Sequence, residues 1–240
     1  MCYNVSITID VHKLEERFGA KFKQPHLFKE YYHASGFSVP LIPVITNDNN
    51  TVIELFQWGL IPFWTKDEES ANTIRFRTLN ARAETIFEKS IYKHLILKKR
   101  CLVLANGFYE WQHVNNKKYP CYISLHGHRP FSFAGFWDIW NNDPKGETRN
   151  TFSIITTKAN QLMEKIHNTR KRMPVILKQD DENKWLSPDI DAKEIKSMLN
   201  PYSDAEMEAY TVSRLISSRS VNSNTPEVME KVHYPELDTY

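Results

Sequence analysis

Cys2 stands directly behind the initiator Met1, so removal of Met1, which the small Cys2 side chain permits, would leave one residue with a free α-amine and a thiol. The α-amine has a reference pKa of about 7.7 to 8.0, against about 10.4 for a lysine, so more of it is unprotonated near neutral pH. Such a 1,2-aminothiol can capture an aldehyde as a Schiff base, on which the thiol then closes a five-membered thiazolidine ring. An unreactive terminal cysteine is the alternative, so the rest of the chain must decide.

Composition bounds the class of protein that carries this cysteine. The 240 residues are 41% hydrophobic, enough to bury a sizeable core. No apolar run approaches the roughly 20 residues that span a bilayer, and no basic region precedes an apolar stretch at the N-terminus. We therefore expect a cytoplasmic, nucleoid-associated protein without a membrane segment.

Three cysteines, Cys2, Cys101 and Cys121, form an odd set without CxxC spacing. This pattern disfavours a disulfide framework and a structural zinc site, and we expect neither a metal nor an organic cofactor. The net charge of +2 is too small to predict a polyanionic partner. Two basic segments, 93–100 and 165–172, are each by themselves typical of a solvated surface.

Short segments rich in β-branched and aromatic residues must form the strands that position any site. Strands are predicted over 52–60, 101–111, 119–125, 131–139 and 151–159. Helical spacing is found over 12–20, 83–97, 160–167 and 191–199, with Asn160 and Asp191 as N-caps of the last two.

These strands come in runs rather than alternating strictly with helices. The pattern predicts an α+β fold, a single domain around a mixed, largely antiparallel sheet or barrel-like core with peripheral helices. We expect the domain to span residues 1–230 and a tail to follow over 231–240. The segment from Thr225 onward is expected to be acidic and loosely packed. The 141–150 segment has the composition of a hairpin loop.

Six ordered strings accompany Cys2: 58-WGLIPFW-64, 80-NARAET-85, 100-RCLVLANGFYEW-111, 133-FAGFWD-138, 167-HNTRKRMPVIL-177 and 212-VSRLISSRSVNSNTPE-227. Together they resemble the SRAP family, the SOS response-associated peptidase domain whose members shield abasic sites in DNA. The resemblance covers nearly the whole chain. It implies a protein, expected to be monomeric, that binds single-stranded DNA and links covalently to the aldehyde of an abasic site through the mature N-terminal cysteine.

The resemblance also implies a set of catalytic residues. An abasic sugar is mostly a closed hemiacetal, so ring opening needs acid and base help. Glu110, in GFYEW, matches the family's catalytic glutamate, and its place at the end of an apolar strand favours a raised pKa. His167 matches the histidine proposed to act on the sugar, and its reference pKa of about 6.5 suits proton transfer near neutrality. Asn80 matches the active-site asparagine, whose amide both donates and accepts without titrating.

DNA contacts are implied at three further positions. Arg82 resembles a phosphate clamp and shares a strand face with Asn80 if the segment is extended. Within the basic cluster 170–172, Arg172 is the first choice for a phosphate because it precedes the MP pair of the motif. Trp64, beside a turn, is the candidate for stacking on bases, worth about 1 to 3 kcal/mol each. Trp58 is better explained as core.

The chain departs from the family at its start, where the usual Gly and Arg after the cysteine are replaced by Tyr3 and Asn4. Asn4 can hydrogen-bond a phosphate but cannot neutralise it. We therefore expect weaker or less salt-dependent DNA binding, since each neutralised phosphate contributes about 0.7 to the single-strand salt slope. Tyr3 adds bulk beside the nucleophile.

Two other function classes remain open. The N-terminal cysteine could attack an amide, with its α-amine as base, in a peptidase or in self-processing of Met1. Lyase activity through the Schiff base is also compatible with the residues. Alternatively, the tryptophans and arginines could serve a non-covalent binder of single-stranded or modified DNA that does not use Cys2.

Overall fold

A computed structural model describes residues 2–142, 146–218 and 221–238. The strands in these ranges are β1 Asn4–Ile7, β2 Lys21–Phe22, β3 Tyr31–Ser35, β4 Leu41–Thr46, β5 Asn49–Trp58, β6 Asn80–Arg82, β7 Arg100–Ala105, β8 Gly107–Val114, β9 Lys117–Leu125, β10 Phe131–Asn142, β11 Glu147–Lys158, β12 Arg172–Pro174 and β13 Met207–Thr211. The helices are α1 Val11–Phe18, α2 Glu68–Arg75, α3 Leu95–Lys98, α4 Gln161–Ile166, α5 Gln179–Leu186 and α6 Ala192–Met198.

Five strands close into a barrel-like sheet. Antiparallel pairing joins β5, β4, β7, β10 and β11 in that order, and parallel pairing of β11 with β5 at Thr151–Gln57 and Phe152–Trp58 closes the ring. Strands β2, β6 and β12 extend it at the edges. The sequence prediction of a single α+β domain with a mixed, barrel-like core is confirmed.

A second sheet of five strands, in the order β13-β9-β8-β1-β3, packs beside the barrel. Its strands are antiparallel throughout. The crossing from the barrel to this sheet occurs between β7 and β8, where Gly107 lies against Tyr122. A Cβ on Gly107 would stand 2.1 Å from the Tyr122 hydroxyl oxygen, so a larger residue would force the two strands apart.

Trp58 is part of the core, as predicted. Its side chain is fully buried, stacks on Phe152 with ring centroids 6.1 Å apart, and donates its indole N–H to the Leu79 carbonyl at 2.9 Å. Because that carbonyl precedes Asn80, the tryptophan helps to fix the short strand β6 against the barrel.

The helices predicted over 12–20, 160–167 and 191–199 are confirmed as α1, α4 and α6, whereas the one predicted over 83–97 was wrong. Asn160 caps α4, and Asp191 caps α6 through a capping box with Glu194. The helix predicted over 83–97 is instead a series of turns ending in α3, since burial of Ile86 and Tyr92 against the core overrides helical propensity. The sequence reading missed α2 and α5, and the predicted strand 101–111 is divided between β7 and β8.

Residues after Thr225 pack more closely than their composition predicts. Val228 is 1% exposed, the Val232 amide donates to the Thr211 carbonyl at 2.9 Å, and the Tyr234 hydroxyl donates to the Val212 carbonyl. The expectation of loose packing from Thr225 was therefore wrong, because this segment covers the edge of β13. The 141–150 hairpin pairs β10 with β11 as far as Asn142 and Glu147, and residues 143–145 lie outside the described ranges. Within those ranges no helix is long and apolar enough to cross a membrane.

Candidate functional site

Cys2 lies two residues before the start of β1 and is fully buried. The Asn80 side-chain amide donates to its backbone carbonyl at 2.7 Å, while its thiol makes a weak contact with the Asn4 carbonyl at 3.7 Å. Burial, and secondarily the Glu110 carboxylate, raise the pKa of the Cys2 thiol well above its ordinary value. The thiol is therefore held as the neutral S–H form.

The strand register brings Cys2 towards Glu110. β1 is antiparallel to β8, with Val5 opposite Phe108. Residues that precede Val5 consequently run alongside residues that follow Phe108, which include Glu110. Two segments more than a hundred residues apart thus meet at one end of the second sheet.

Glu110 is buried at 5% exposure, opposite Cys121 on β9. Burial raises the pKa of its carboxyl from 4.5 to about 7, since removal from water penalises the charged form. At neutral pH the protonated and ionised forms are both well populated. Such a carboxyl can both give and take a proton.

His167 follows the last residue of α4 and faces the same acid. Its Nδ1–H donates to the Arg172 carbonyl at 2.9 Å, and Nδ1 lies 3.8 Å from the Glu110 carboxyl oxygen Oε1. Burial lowers the pKa of His167 to about 4, so the Glu110 contact is not an ion pair at neutral pH. The hydrogen bond to the carbonyl fixes the Nδ1–H tautomer and makes Nε2 the basic nitrogen.

Asn80 is positioned by the parallel pairing of β6 with β11, where it stands opposite Ile154. It is 8% exposed, and its amide nitrogen holds Cys2. Its buried Oδ1 has no hydrogen-bond partner in the part of the chain that the structure describes. Burying such an acceptor costs free energy unless a ligand or a rearranged neighbour donates to it.

A cavity of about 550 Å³ opens in front of these residues. Glu110 and His167 form part of its wall, and Tyr3 and Asn4 bring its edge next to Cys2. The complete lining consists of Tyr3, Asn4, Glu110, Trp111, His113, Lys118, His167, Thr169, Arg170 and Ser217.

The predicted DNA contacts have different environments. Arg82 ends β6 with an exposed side chain, and Trp64 is 55% exposed. Arg172 is already engaged: its guanidinium pairs with the Glu84 carboxylate and donates to the Thr156 carbonyl at 2.7 Å. Asn4 accepts a hydrogen bond from His33 at 2.8 Å.

Several residues that line the cavity were not among the first choices of the sequence analysis. Arg170 was included in a basic cluster but ranked below Arg172, although it lines the cavity and Arg172 does not. Trp111 donates its indole N–H to the Ser217 hydroxyl at 3.1 Å, which connects two of the motif strings. Arg170 and Trp111 both lie within the motif strings of the sequence analysis, whereas Lys118 lies in none of them.

The three cysteines are free and buried. No group of three or more His, Cys, Asp or Glu residues is arranged to hold a metal ion within 2–142, 146–218 and 221–238.

Solved structures share this architecture. A crystal structure of a Bacteroides thetaiotaomicron protein superposes with a TM-score of 0.90 at 39% identity, covering 97% of this chain and 100% of the other. A Bordetella bronchiseptica protein has the same fold, with a TM-score of 0.75 at 24% identity, covering 88% of this chain and 100% of that protein.

The sequence matches the family described as SOS response associated peptidase (SRAP) over residues 1–219. It is 41% identical over 204 residues to abasic site processing protein YoqW of Bacillus subtilis, covering 83% of this chain and 87% of that protein. It is 32% identical over 206 residues to abasic site processing protein HMCES of Xenopus tropicalis, covering 78% of this chain and 59% of that protein. The chain belongs to the SRAP family.

Proposed function

We propose that this protein processes abasic sites by binding single-stranded DNA and capturing the abasic aldehyde on the mature N-terminal Cys2. The captured sugar would be shielded as a thiazolidine. The relatives whose names describe abasic site processing support the substrate class. The observation that carries the chemistry is the hydrogen bond from Asn80 to the Cys2 carbonyl, which holds the aminothiol beside Glu110 and His167.

Capture begins with opening of the closed sugar. In our proposal the neutral His167 accepts the proton of the C1′ hydroxyl at Nε2, while protonated Glu110 supplies a proton to the departing ring oxygen. The low pKa of His167 and the high pKa of Glu110 support this pairing, because at neutral pH the first is unprotonated and the second partly protonated.

The amine then attacks C1′, and loss of one water leaves a Schiff base. Addition of the thiol to the C=N bond forms the C–S bond, with the thiol proton transferred to nitrogen through Glu110. The balance is protein plus DNA minus one water. Asn80 Oδ1, buried without a hydrogen-bond partner in the described part of the chain, is suited to accept from the attacking amine.

The strand would be held outside the cavity by exposed groups. Trp64 offers an aromatic face for a base, and Arg82 offers a cation next to the strand that carries Asn80. Arg172 would have to share its guanidinium between a phosphate and Glu84, which reduces the charge it can contribute. Asn4 lies nearest to Cys2 in sequence and lines the cavity.

A cysteine peptidase mechanism is disfavoured by the raised thiol pKa, since attack on an amide requires the thiolate. The imine route needs the thiol only after the electrophile is bound. Self-processing of Met1 would precede either activity.

A denaturing gel and a native gel of the same samples together separate the candidate functions, because only the native gel retains reversible complexes. Mature protein is incubated with abasic single-stranded DNA, with intact single-stranded DNA and with a peptide. A heat-stable complex with the abasic strand alone supports capture. Peptide cleavage without such a complex would contradict capture and indicate a peptidase. Reversible binding that Cys2→Ala leaves unchanged would indicate a non-covalent DNA-binding module.

A further inference from the structure

We propose that Tyr109 and Asn224 are positioning residues for Cys2, because together they clamp a β-bulge in the strand that supports it. Tyr109 directly precedes Glu110 in the chain, and Asn224 lies in the last motif string, which has no part in the proposed chemistry. Neither Tyr109 nor Asn224 lines the cavity. This role rests on the proposed function, since it concerns the rate at which Cys2 captures the sugar.

Strand β3 supports the segment that follows Cys2. The Gly36 amide donates to the Tyr3 carbonyl at 2.8 Å, and Asn4 stands opposite Ser35 in the antiparallel pairing of β1 with β3. The two residues directly after the nucleophile are therefore both in contact with β3. A shift of β3 would consequently be passed on to the nucleophile.

A β-bulge interrupts the pairing of these two strands. The register shifts between Val5 and Ile7, where two residues of β3, Tyr32 and His33, face the single Ser6 of β1. A bulge bends its strand and disrupts the local ladder, so it can redirect the residues beyond it. The groups that bind this bulge therefore determine how β3 approaches the start of β1.

Asn224 binds the backbone of both bulge residues. Its side-chain oxygen accepts hydrogen bonds from the amides of Tyr32 and His33 at 2.8 and 3.2 Å, so both amides are satisfied where the ladder is disrupted. Asn224 is itself held in place. Its own backbone amide donates to the Asn222 side-chain oxygen at 3.0 Å, and Val228 of the same segment is buried.

Tyr109 binds the bulge at a carbonyl. Its hydroxyl donates to the Tyr32 carbonyl at 2.7 Å, and its ring meets the His33 ring edge-on with centroids 5.7 Å apart. Burial raises the pKa of the Tyr109 phenol, so the hydroxyl stays protonated and remains a donor. Since β1 lies between β8 and β3 in the sheet, the side chain next to Glu110 reaches past β1 to the strand beyond it.

The segment that carries Asn224 also reaches β1 through side chains. The Ser223 hydroxyl lies 2.7 Å from His33 Nδ1, and His33 Nε2 lies 2.8 Å from the Asn4 side-chain oxygen. An amide oxygen only accepts, so Nε2–H donates to it and Nδ1 accepts from the hydroxyl. Burial lowers the pKa of His33 to about 4, which keeps the ring neutral and these roles fixed.

Loss of the clamp should slow capture without weakening DNA binding. A misplacement of about 1 Å between reacting groups can slow a reaction about 100-fold. The hydrogen bond from Asn80 to the Cys2 carbonyl would remain, so a smaller loss is expected. The groups proposed to contact the DNA strand, Trp64 and Arg82, lie on other elements and would keep their positions.

The test measures capture and binding separately. The rate constant of capture is measured with an abasic single strand at saturating concentration, and affinity by anisotropy with a tetrahydrofuran abasic analogue, which has no aldehyde. Asn224→Ala and Tyr109→Phe should each slow capture about tenfold and leave the affinity for the analogue unchanged. Asn224→Asp should restore the wild-type rate, because a carboxylate oxygen can accept from both amides.

The double variant tests whether the two residues act as one unit. Both hold the Tyr32 backbone, so Tyr109→Phe combined with Asn224→Ala should slow capture by less than the product of the two single losses. Losses that multiply would overturn the clamp, because they would indicate two independent effects.

Tyr234→Phe is the matched control. The Tyr234 hydroxyl also donates to a backbone carbonyl, that of Val212, beside β13 at the opposite end of the same sheet. This variant should capture the abasic strand at the wild-type rate. An equal slowing in Tyr234→Phe would overturn the clamp, because it would indicate a general structural effect. Slower capture in Asn224→Ala that is explained by weaker binding of the analogue would overturn it as well.

Hydrogen exchange of the peptide over residues 2–7 provides a readout that does not depend on capture. Exchange should be faster in Asn224→Ala and Tyr109→Phe than in the unsubstituted protein and in Tyr234→Phe, because the support of β1 is loosened. Unchanged exchange would overturn the clamp at any capture rate. Absence of capture by the unsubstituted protein, with faster exchange in both variants, would refute the proposed function alone.

Discussion

Replacing Glu110 by glutamine should make the protein more stable above neutral pH and less active. Glutamine keeps the size and shape of the side chain and does not titrate, although an NH₂ donor replaces one carboxyl oxygen. Burial raises the pKa of the Glu110 carboxyl from 4.5 to about 7. At roughly 1.4 kcal/mol per pH unit, that rise corresponds to about 3 kcal/mol between the two protonation states.

The direction of the change in the free energy of unfolding follows from proton binding to Glu110. Between pH 4.5 and about 7 the folded protein holds a proton on Glu110 that the unfolded chain has released. The contribution of this proton to the free energy of unfolding is fully present below pH 4.5 and is lost as the pH rises through the folded pKa of about 7. Relative to wild type, Glu110→Gln should therefore gain about 3 kcal/mol in free energy of unfolding between about pH 4.5 and pH 8.

Urea unfolding of both proteins, prepared with the same N-terminus, measures this difference. Glu164→Gln on α4 is the control, because it removes an exposed carboxyl that does not line the cavity. In parallel, capture of an abasic strand at saturating DNA should slow by about 10²- to 10⁴-fold, the usual loss for a missing general acid or base. A stability difference that stays constant with pH would refute the raised pKa, and capture at the wild-type rate would refute the catalytic role.

Three other substitutions test separate parts of the site. Cys2→Ser keeps the α-amine, so borohydride should trap a Schiff base while the stable adduct formed without reductant is lost; an equally heat-stable adduct would exclude the thiazolidine. Arg82→Ala should weaken binding to intact single-stranded DNA and lower the salt slope by about 0.7 without slowing capture at saturating DNA; an unchanged slope would remove Arg82 from the phosphate contacts. Trp64→Ala should cost about 1 to 3 kcal/mol of single-strand affinity, measured against Phe63→Ala on the neighbouring exposed aromatic; an equal loss in both would argue against a specific stacking position.

The five predicted strand segments fall on β5 and on β7 to β11, because each carries a run of β-branched and aromatic residues bounded by turn formers. Strands β1 to β4, β6, β12 and β13 were not predicted. The sequence also predicted the capped helices α4 and α6. The 83–97 segment could not be predicted in the same way, because packing of Ile86 and Tyr92 against the barrel decides its conformation. Closure of the barrel between β5 and β11 is a long-range pairing that no local pattern encodes.

The motif strings named Cys2, Asn80, Glu110 and His167, and the structure brings these residues together at one end of the second sheet. The motif strings could not show which basic residue forms an ion pair within the folded protein. Arg172 and Arg170 are two positions apart, yet only the first is engaged by Glu84, a residue far away in the chain. The link from Ser223 through His33 to Asn4 likewise joins three distant segments and becomes visible only in the folded protein.

The bond between Cys2 and the abasic sugar is the central claim, and peptide mapping by mass spectrometry after crosslinking tests it most directly. Mature protein, with loss of Met1 confirmed by intact mass, is incubated with abasic single-stranded DNA and digested with protease and nuclease. The proposal predicts that the N-terminal peptide beginning at Cys2 carries the sugar, at a mass equal to peptide plus sugar remnant minus one water. An unmodified N-terminal peptide, or the sugar on a lysine elsewhere in the chain, would contradict it.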